Sequence, residues 1–379
     1  MPDSMYNFIE RFLPYGSASF SMVAAMAKSV FFILLFTMPL AGILTWMERR
    51  QSAMMQDRVG PNRANIGHFK LWGLLHFVAD AVKMIFKEDF VPPKADKFLF
   101  ALAPILALAP VLIATAIIPF GAPLCYGHMT EAVAPGACIA PIELQAARLD
   151  AGLLFYFAIA SLAVYGTALA GWASHNKWAL MGGMRASSQM MSYEVTMGMA
   201  VMAMFLVYGT LEPGAMVNAQ GDWPRHWGIV GAPQAIAFVL FLTASIAESK
   251  RTPFDIPEGE SEIVGYFVEY SGMRFGMFYL GEFVEIITTS AIMVTVFFGG
   301  WRFPGAGHLA IILPNALFVL VSVVVWSLKV FLFCAFQLLV RWSLPRFRAD
   351  QLLRLGWQRL LPLSIANVVL AAGWILLRR

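Results

Sequence analysis

The sequence predicts an all-α polytopic membrane protein of about eight transmembrane helices joined by long cytoplasmic loops, and three observations carry that prediction. The 379 residues are 59% hydrophobic and only 13% charged. Their mean hydropathy of +0.68 is beyond what the core of a soluble protein can hide. The apolar residues also gather into runs of about 20, the length that crosses roughly 30 Å of hydrocarbon as helix, where every backbone polar group must be satisfied within its own segment.

The runs fall at approximately 19–46, 98–119, 151–172, 189–208, 232–247, 275–298, 311–340 and 360–377, the fifth being the shortest. Ahead of the first, MPDSMYNFIERF carries two acids, one arginine and no basic head. That run is therefore expected to be retained and not cleaved as a signal peptide. Orientation follows from the basic residues: 19 of the 27 Lys and Arg lie after odd-numbered runs and seven on the opposite side. The excess places those loops in the cytoplasm and both termini outside. The net charge of +4 thus reflects topology, and no nucleic-acid partner is expected. No Ser/Gly linker, low-complexity tract or repeat divides residues 1–379, which are expected to form a single transmembrane domain.

In the first cytoplasmic loop, Ile66 to Phe86 alternates faces at helical spacing, with His76, Asp80, Lys83 and Lys87 along one side and Trp72, Leu75, Ala79, Val82 and Phe86 along another. The pattern suits a helix lying at the membrane surface or packed on the other loops, ended by Pro92 and Pro93. Three cysteines without a CxxC pair, and six histidines confined to loops and span edges, argue against an iron–sulfur cluster or a cytochrome b haem in this chain. Cys125 and Cys138 share the second external loop, where a disulfide and two separate thiols both remain open.

The chemistry concentrates in Glu248 to Gly272, ESKRTPFDIPEGESEIVGYFVEYSG. Six of the chain's 23 carboxylates, Glu248, Asp255, Glu258, Glu260, Glu262 and Glu269, fall here. Pro253 and Pro257 oppose helix through TPFDIP, while Glu262, Tyr266 and Glu269 are spaced to share a face if helix resumes after Gly259. A solvated loop accounts for the charge but not for Phe254, Ile256, Tyr266, Phe267 and Tyr270 interleaved with it. Mixed aromatic and carboxylate walls suit an amphipathic ligand whose tail is solvated while its head exchanges protons.

Acids also enter the spans: Glu194 in the fourth, Glu248 at the end of the fifth, Glu282 and Glu285 in the sixth. Each costs roughly 2.5 to 3.5 kcal/mol at mid-bilayer, so four are expensive unless they face protein or water. Glu282 and Glu285, at i and i+3, share a helix face, an arrangement in which burial and mutual repulsion can make a carboxyl a proton carrier near neutral pH. The alternative for each is a polar contact between helices. Lys329 in the seventh span could pair with one of these acids or mark a route of its own. Arg49, Arg50, Arg58 and Arg63, around the Gly60–Pro61 turn, could line a pocket mouth, bind lipid headgroups or dock a soluble partner.

Three stretches, ERRQSAMMQDRVGPNRANIG, GWASHNKWALMGGMRASSQMMSYEVTMG and AESKRTPFDIPEGESEIVGYFVEYSGMRFGMFYLGEF, resemble the quinone-channel membrane subunit of respiratory complex I, called the H subunit in bacteria and subunit 1 in mitochondria. The resemblance spans all eight runs. It implies a subunit of proton-translocating NADH:ubiquinone oxidoreductase, inactive alone, that forms most of a ubiquinone tunnel. FMN and iron–sulfur clusters would then belong to partners: peripheral-arm quinone-site and iron–sulfur subunits, beside small membrane subunits and an antiporter-like membrane arm. It also implies that Glu194 and Glu248 link the quinone cavity to the proton path. By the same resemblance, Arg251, Asp255, Glu258, Glu260 and Glu262 match the family's acidic loop, and Arg58 and Arg63 its first-loop arginines near the tunnel. A bacterial inner membrane is expected, with the mitochondrial inner membrane as the alternative. The third span, AVYGTALAGW, lacks an acid that some bacterial relatives carry, and no role is transferred to the arginine-rich segment 341–359. Other readings are a quinone-free membrane subunit of a hydrogenase or formate-oxidising complex, a secondary transporter, for which neither inverted repeats nor paired broken helices are evident, and a passive scaffold.

Overall fold

The computed structural model describes residues 18–65, 67, 71–125, 141–259 and 262–378. Cys138 and Glu260 lie outside them, as do Ile66, residues 68–70 and the N-terminal dodecamer. The described chain is all-α, apart from one two-residue antiparallel pair, β1 (Leu124–Cys125) with β2 (Pro141–Ile142).

The elements in order are α1 (Ala18–Phe32), running through a π-helical Ile33–Thr37 into α2 (Met38–Met55); α3 (His76–Phe86); α4 (Lys97–Ala114); α5 (Gly152–Ala160) and α6 (Ala163–Ala173); α7 (Lys177–Tyr208); α8 (Pro213–Ala219); α9 (Ala232–Glu248); α10 (Gly272–Phe297); α11 (Ala306–Ile312) and α12 (Asn315–Ser343); α13 (Ala349–Arg354), continuing through a π-helical Leu355–Leu360 into α14 (Leu361–Arg378). Among the described residues, seven helical stretches are long and apolar enough to cross a membrane. The fifth predicted span, α9, is helical over 17 residues, about 26 Å at 1.5 Å per residue.

Local chemistry explains the ends. Asp96 caps α4 by accepting from the backbone N–H of Phe98 and Leu99 at 3.1 and 3.3 Å. Asn176 caps α7 through the N–H of Trp178 at 2.9 Å, and Gly209, at φ 68°, closes it in the left-handed conformation that glycine adopts without strain. The spans pack through small residues. At Gly166 a Cβ would lie 2.4 Å from the Ala107 nitrogen, so α6 presses directly on the backbone of α4.

Helix α10 is the centre of the bundle: every residue from Gly281 to Phe297 is buried. Glu282 and Glu285, the acids predicted inside the sixth span, are thereby placed within protein and away from lipid. α2, α3, α4, α9 and α12 all pack against it, and α2 and α12 also pack against each other.

Several predicted boundaries move. The first span continues past Trp46 to Met55, and the fourth starts at Lys177, twelve residues before Gln189. In both, charged or polar residues continue the helix where hydropathy falls. The seventh span is broken before Asn315, where Pro314 lacks the N–H that a continuing helix needs. Among its described residues the predicted surface helix is helical over His76–Phe86 and stops well ahead of Pro92, with Lys87 already extended. Among the described residues after Gly259, Val264 and Gly265 have φ of 72° and 132°, and regular helix returns at Gly272. Glu262, Tyr266 and Glu269 therefore do not share a face. Tyr266 is buried, Glu262 is exposed on Arg185 at 2.8 Å, and Glu269 accepts from Asn176 Nδ2 at 2.7 Å.

Candidate functional site: an apolar cavity backed by a buried charge cluster

Glycines at the ends of two spans open a cavity beneath the surface helix. Phe77 of α3 lies over Gly42 of α2, where a Cβ would meet its ring at 2.9 Å, and Met84 lies over Gly276 of α10, at 2.8 Å. Between these contacts is a cavity of about 280 Å³ lined by Met38, Thr45, Phe77, Met84, Tyr279 and Phe283 among others. Its lining is almost wholly apolar; Asp80 is the one charged side chain on its wall and pairs with Arg49 at 2.6 Å. A cavity of this size and polarity suits an apolar or amphipathic ligand.

Behind its wall lies the charge. The Arg251 guanidinium stacks 4.4 Å from the Phe283 ring and 6.0 Å from that of Tyr279, two of the aromatics that line the cavity. Arg251 Nη1 donates to Glu48 Oε2 at 2.8 Å, and Nη2 stands 3.4 Å from Glu282 Oε2. Arg341 of α12 donates to the other oxygen of Glu48. One helical turn along α10, Glu285 lies 3.7 Å from Lys250 Nζ. Glu48, Glu248, Lys250, Arg251, Glu282 and Glu285 are each at most 7% exposed. Buried charges of this kind are costly in a low-dielectric interior, and for Glu48, Lys250, Arg251, Glu282 and Glu285 mutual attraction offsets much of the desolvation cost.

The acidic loop closes the cluster from outside the spans. Glu258 and Tyr266 both face the Glu282 carboxyl. Enclosure of the Glu258 carboxyl, followed by the charge of Glu282, pushes its pKa well above the usual range. Burial raises Asp255 to about 6, against the opposing pull of Arg346, whose Nη2 is 3.5 Å from Oδ2. Burial works against a charged Lys250, but the carboxyls around it, Glu285 foremost, outweigh that and hold its pKa above the ordinary value. The loop is fixed from the other side by Gln189 of α7, whose Nε2 donates to the Ala247 and Phe254 carbonyls at 2.6 and 2.7 Å.

Beyond Glu285 a second cavity of about 10 Å³ is lined by Tyr156, Met190, Glu248, Glu285 and Thr288. That is room on the scale of one water. Glu248 Oε2 and Glu285 Oε1 are buried without a hydrogen-bond partner among the described residues. Glu194 is half-buried on α7, close enough to Glu248 for their charges to interact.

The structure thus brings together Glu248, Arg251, Asp255, Glu258, Tyr266, Glu282 and Glu285, with Glu194 at the edge. It does not bring in Arg58 and Arg63, which are exposed, Arg58 donating to Gln56 at 2.6 Å. Glu262 and Glu269 hold the outer part of the loop, and Glu260 lies outside the described residues. Among the described residues Lys329 joins no acid: its Nζ donates to the Phe298, Gly300 and Arg302 carbonyls at 2.8, 3.0 and 2.5 Å, capping the end of α10 over the Trp227 ring. Glu48, Lys250 and Arg341 are cluster members that sequence reasoning does not select. An acid two residues beyond a 28-residue apolar run is the available signal for Glu48. Among the described residues, no group of three or more His, Cys, Asp or Glu is placed to hold a metal ion.

Comparison with known proteins agrees with this architecture. The family model of NADH dehydrogenase matches residues 27–372. The H 2 subunit of NADH-quinone oxidoreductase from Koribacter versatilis is 40% identical over 96% of this chain and 100% of its own length. The H 1 subunit from Geobacter metallireducens is 44% identical over 92% and 95%, and the H subunit from Methylococcus capsulatus 43% over 90% and 95%. An all-α membrane bundle with its matched length and these near full-length relatives leaves one conclusion: the chain belongs to the NADH dehydrogenase family of membrane subunits, alongside the H subunits of NADH-quinone oxidoreductase.

Proposed function

We propose that the chain is the membrane subunit of a proton-translocating NADH:ubiquinone oxidoreductase that forms the ubiquinone tunnel and couples quinone reduction to proton transfer. It carries no redox centre on this reading, and FMN and iron–sulfur clusters belong to peripheral-arm partners. Other partners are the quinone-site subunit, small membrane subunits and the antiporter-like arm. Its setting is a bacterial inner membrane with both termini periplasmic. The relatives named above support the enzyme assignment, and all of them are bacterial.

One observation carries the tunnel reading: Phe283 and Tyr279 face the apolar cavity on one side and the Arg251 guanidinium on the other. A ligand in the cavity is separated from the charge cluster by a single aromatic layer. The Met, Phe and Leu walls solvate an isoprenoid tail. Reduction of ubiquinone adds two electrons, and the negative charge this places beside Arg251 lasts until two protons follow. At low effective dielectric a unit charge several Å away is worth a few kcal/mol, enough to move protons among coupled carboxyls without contact. The order of groups is Arg251, Glu282, Glu285 with Lys250, Glu248 and then Glu194.

A photoreactive ubiquinone analogue tests this reading in the assembled enzyme. Labelling is expected on Phe77–Ile85 and Met273–Leu280, two of the three cavity walls, and is competed by excess quinone. Labelling confined to lipid-facing positions, uncompeted, overturns it.

A further inference from the structure

The arginine-rich segment after α12 has no part in the mechanism above, yet it makes close contacts with the acidic loop. Arg346 Nε donates to the Asp255 carbonyl at 2.6 Å, Nη2 donates to the same oxygen, and Nη2 also lies 3.5 Å from Asp255 Oδ2. The Phe347 N–H donates to the Pro253 carbonyl at 3.0 Å, and its ring stacks on Phe254 at 5.5 Å with planes 10° apart. Farther along, the Leu352 carbonyl accepts from Tyr193 Oη at 2.9 Å, and the Tyr193 ring leans on Phe254 at 5.9 Å.

We propose that Arg346 and Phe347 are positioning residues, a clamp that fixes the Pro253–Glu258 turn of the acidic loop and sets the charge of Asp255. The proposal rests on the functional reading only for its effect on quinone reduction; the clamp itself does not. The grounds are geometric. The turn lies between Gln189 on one side and the segment 346–347 on the other, and Pro253 and Pro257 exclude helical hydrogen bonding within it. Its carbonyls must therefore find partners elsewhere, and a guanidinium fork supplies two donors to one of them. The guanidinium also lies against the backbone that ends the turn: a Cβ at Gly259 would come 2.7 Å from Arg346 Nη2.

The charged groups that face Asp255 are Arg346, Arg251, Glu258 and Glu282. Arg346 is the strongest influence favouring the ionised form, so removing it makes Asp255 protonate at higher pH. Lysine keeps the cation but not the fork, which separates charge from grip.

The test uses the assembled enzyme in membranes and two readouts, amide hydrogen exchange over residues 253–259 and the acid limb of NADH:quinone turnover. Arg346→Gln should speed exchange there by about tenfold and move the acid limb to higher pH. Arg346→Lys should restore the acid limb and leave exchange fast. If Arg346→Gln does not accumulate, Phe347→Leu replaces it and should speed exchange with the acid limb in place. Exchange unchanged in the accumulating variant overturns the clamp, as does an acid limb unmoved by Arg346→Gln. Fast exchange in a variant of an enzyme whose parent shows no inhibitor-sensitive quinone turnover leaves the clamp standing and defeats the functional reading instead.

Discussion

Glu48 and Arg251 meet at 2.8 Å in the interior although 203 positions separate them in the chain. Arg341 binds the other Glu48 oxygen, and Arg251 also faces Glu282. One carboxyl therefore ties the end of α2 to the acidic loop and to α12. Removing one partner of a buried, multiply paired charge is far more damaging than removing all of them, because it leaves an uncompensated ion.

Arg251→Ala should accordingly lower the amount of chain in membranes severely, at a cost on the order of 3 to 5 kcal/mol. Combining it with Glu48→Gln should recover part of that loss. Quantifying the chain in detergent extracts of the single and double variants checks it; additive losses would contradict the shared network.

Gly182 and Gly198 lie on the same helix, α7, and should respond oppositely to alanine. A Cβ at Gly182 would lie 2.9 Å from the Tyr266 nitrogen and 3.1 Å from the Gly265 carbonyl carbon, whereas nothing lies within 4 Å of one at Gly198. Gly182→Ala should force α7 from the loop and slow quinone turnover. Gly198→Ala should leave it intact and stabilise the helix by roughly 0.5 to 1 kcal/mol. Turnover and thermal melting of the purified enzyme distinguish the two.

Lys329 serves α10 as a cap, and its loss should appear as instability. Lys329→Met strands three carbonyls that its ammonium now satisfies, an expected cost of about 1 to 3 kcal/mol per group left buried and unpaired. Thermal inactivation of the membranes should quicken, while the apparent KM for quinone stays as in the parent.

Asp255 supplies a pH dependence with a definite sign. Its pKa rises from 3.8 in the unfolded chain to about 6 in the structure, so between those values the folded protein holds a proton that the unfolded chain has lost. Its contribution to stability is fully present below about pH 4 and falls as pH rises towards 6. Asp255→Asn removes that fall. The melting temperature of the variant should gain on the parent between about pH 4 and 6, and an unchanged difference across that range would count against the assignment.

Much of the fold was legible because the bilayer demands apolar runs of one length, and those runs coincide with the seven long apolar helical stretches among the described residues and with the shorter α9. Their ends were not, since Lys177–Ser188 and Glu48–Met55 are helical despite falling hydropathy. The site was legible where charge is improbable, at Glu248, Glu282 and Glu285. It was illegible where partners come from distant segments: Glu48 with Arg341, Asp255 with Arg346, and Lys329 with carbonyls at the end of α10. The spacing of Glu262, Tyr266 and Glu269 suggested a helix that Val264 and Gly265, with their positive φ, do not form.

The central claim is that buried carboxyls respond to the redox state of a quinone held beside Arg251, and Glu248→Gln tests it most directly. Glu248 ends α9, is 5% exposed, and faces Glu285 across a cavity the size of a water. In inverted membrane vesicles containing the intact enzyme, inhibitor-sensitive NADH:quinone turnover and proton uptake should fall together, each by about tenfold or more, the loss of a general acid–base group. Full proton translocation in the Glu248→Gln enzyme would contradict the account.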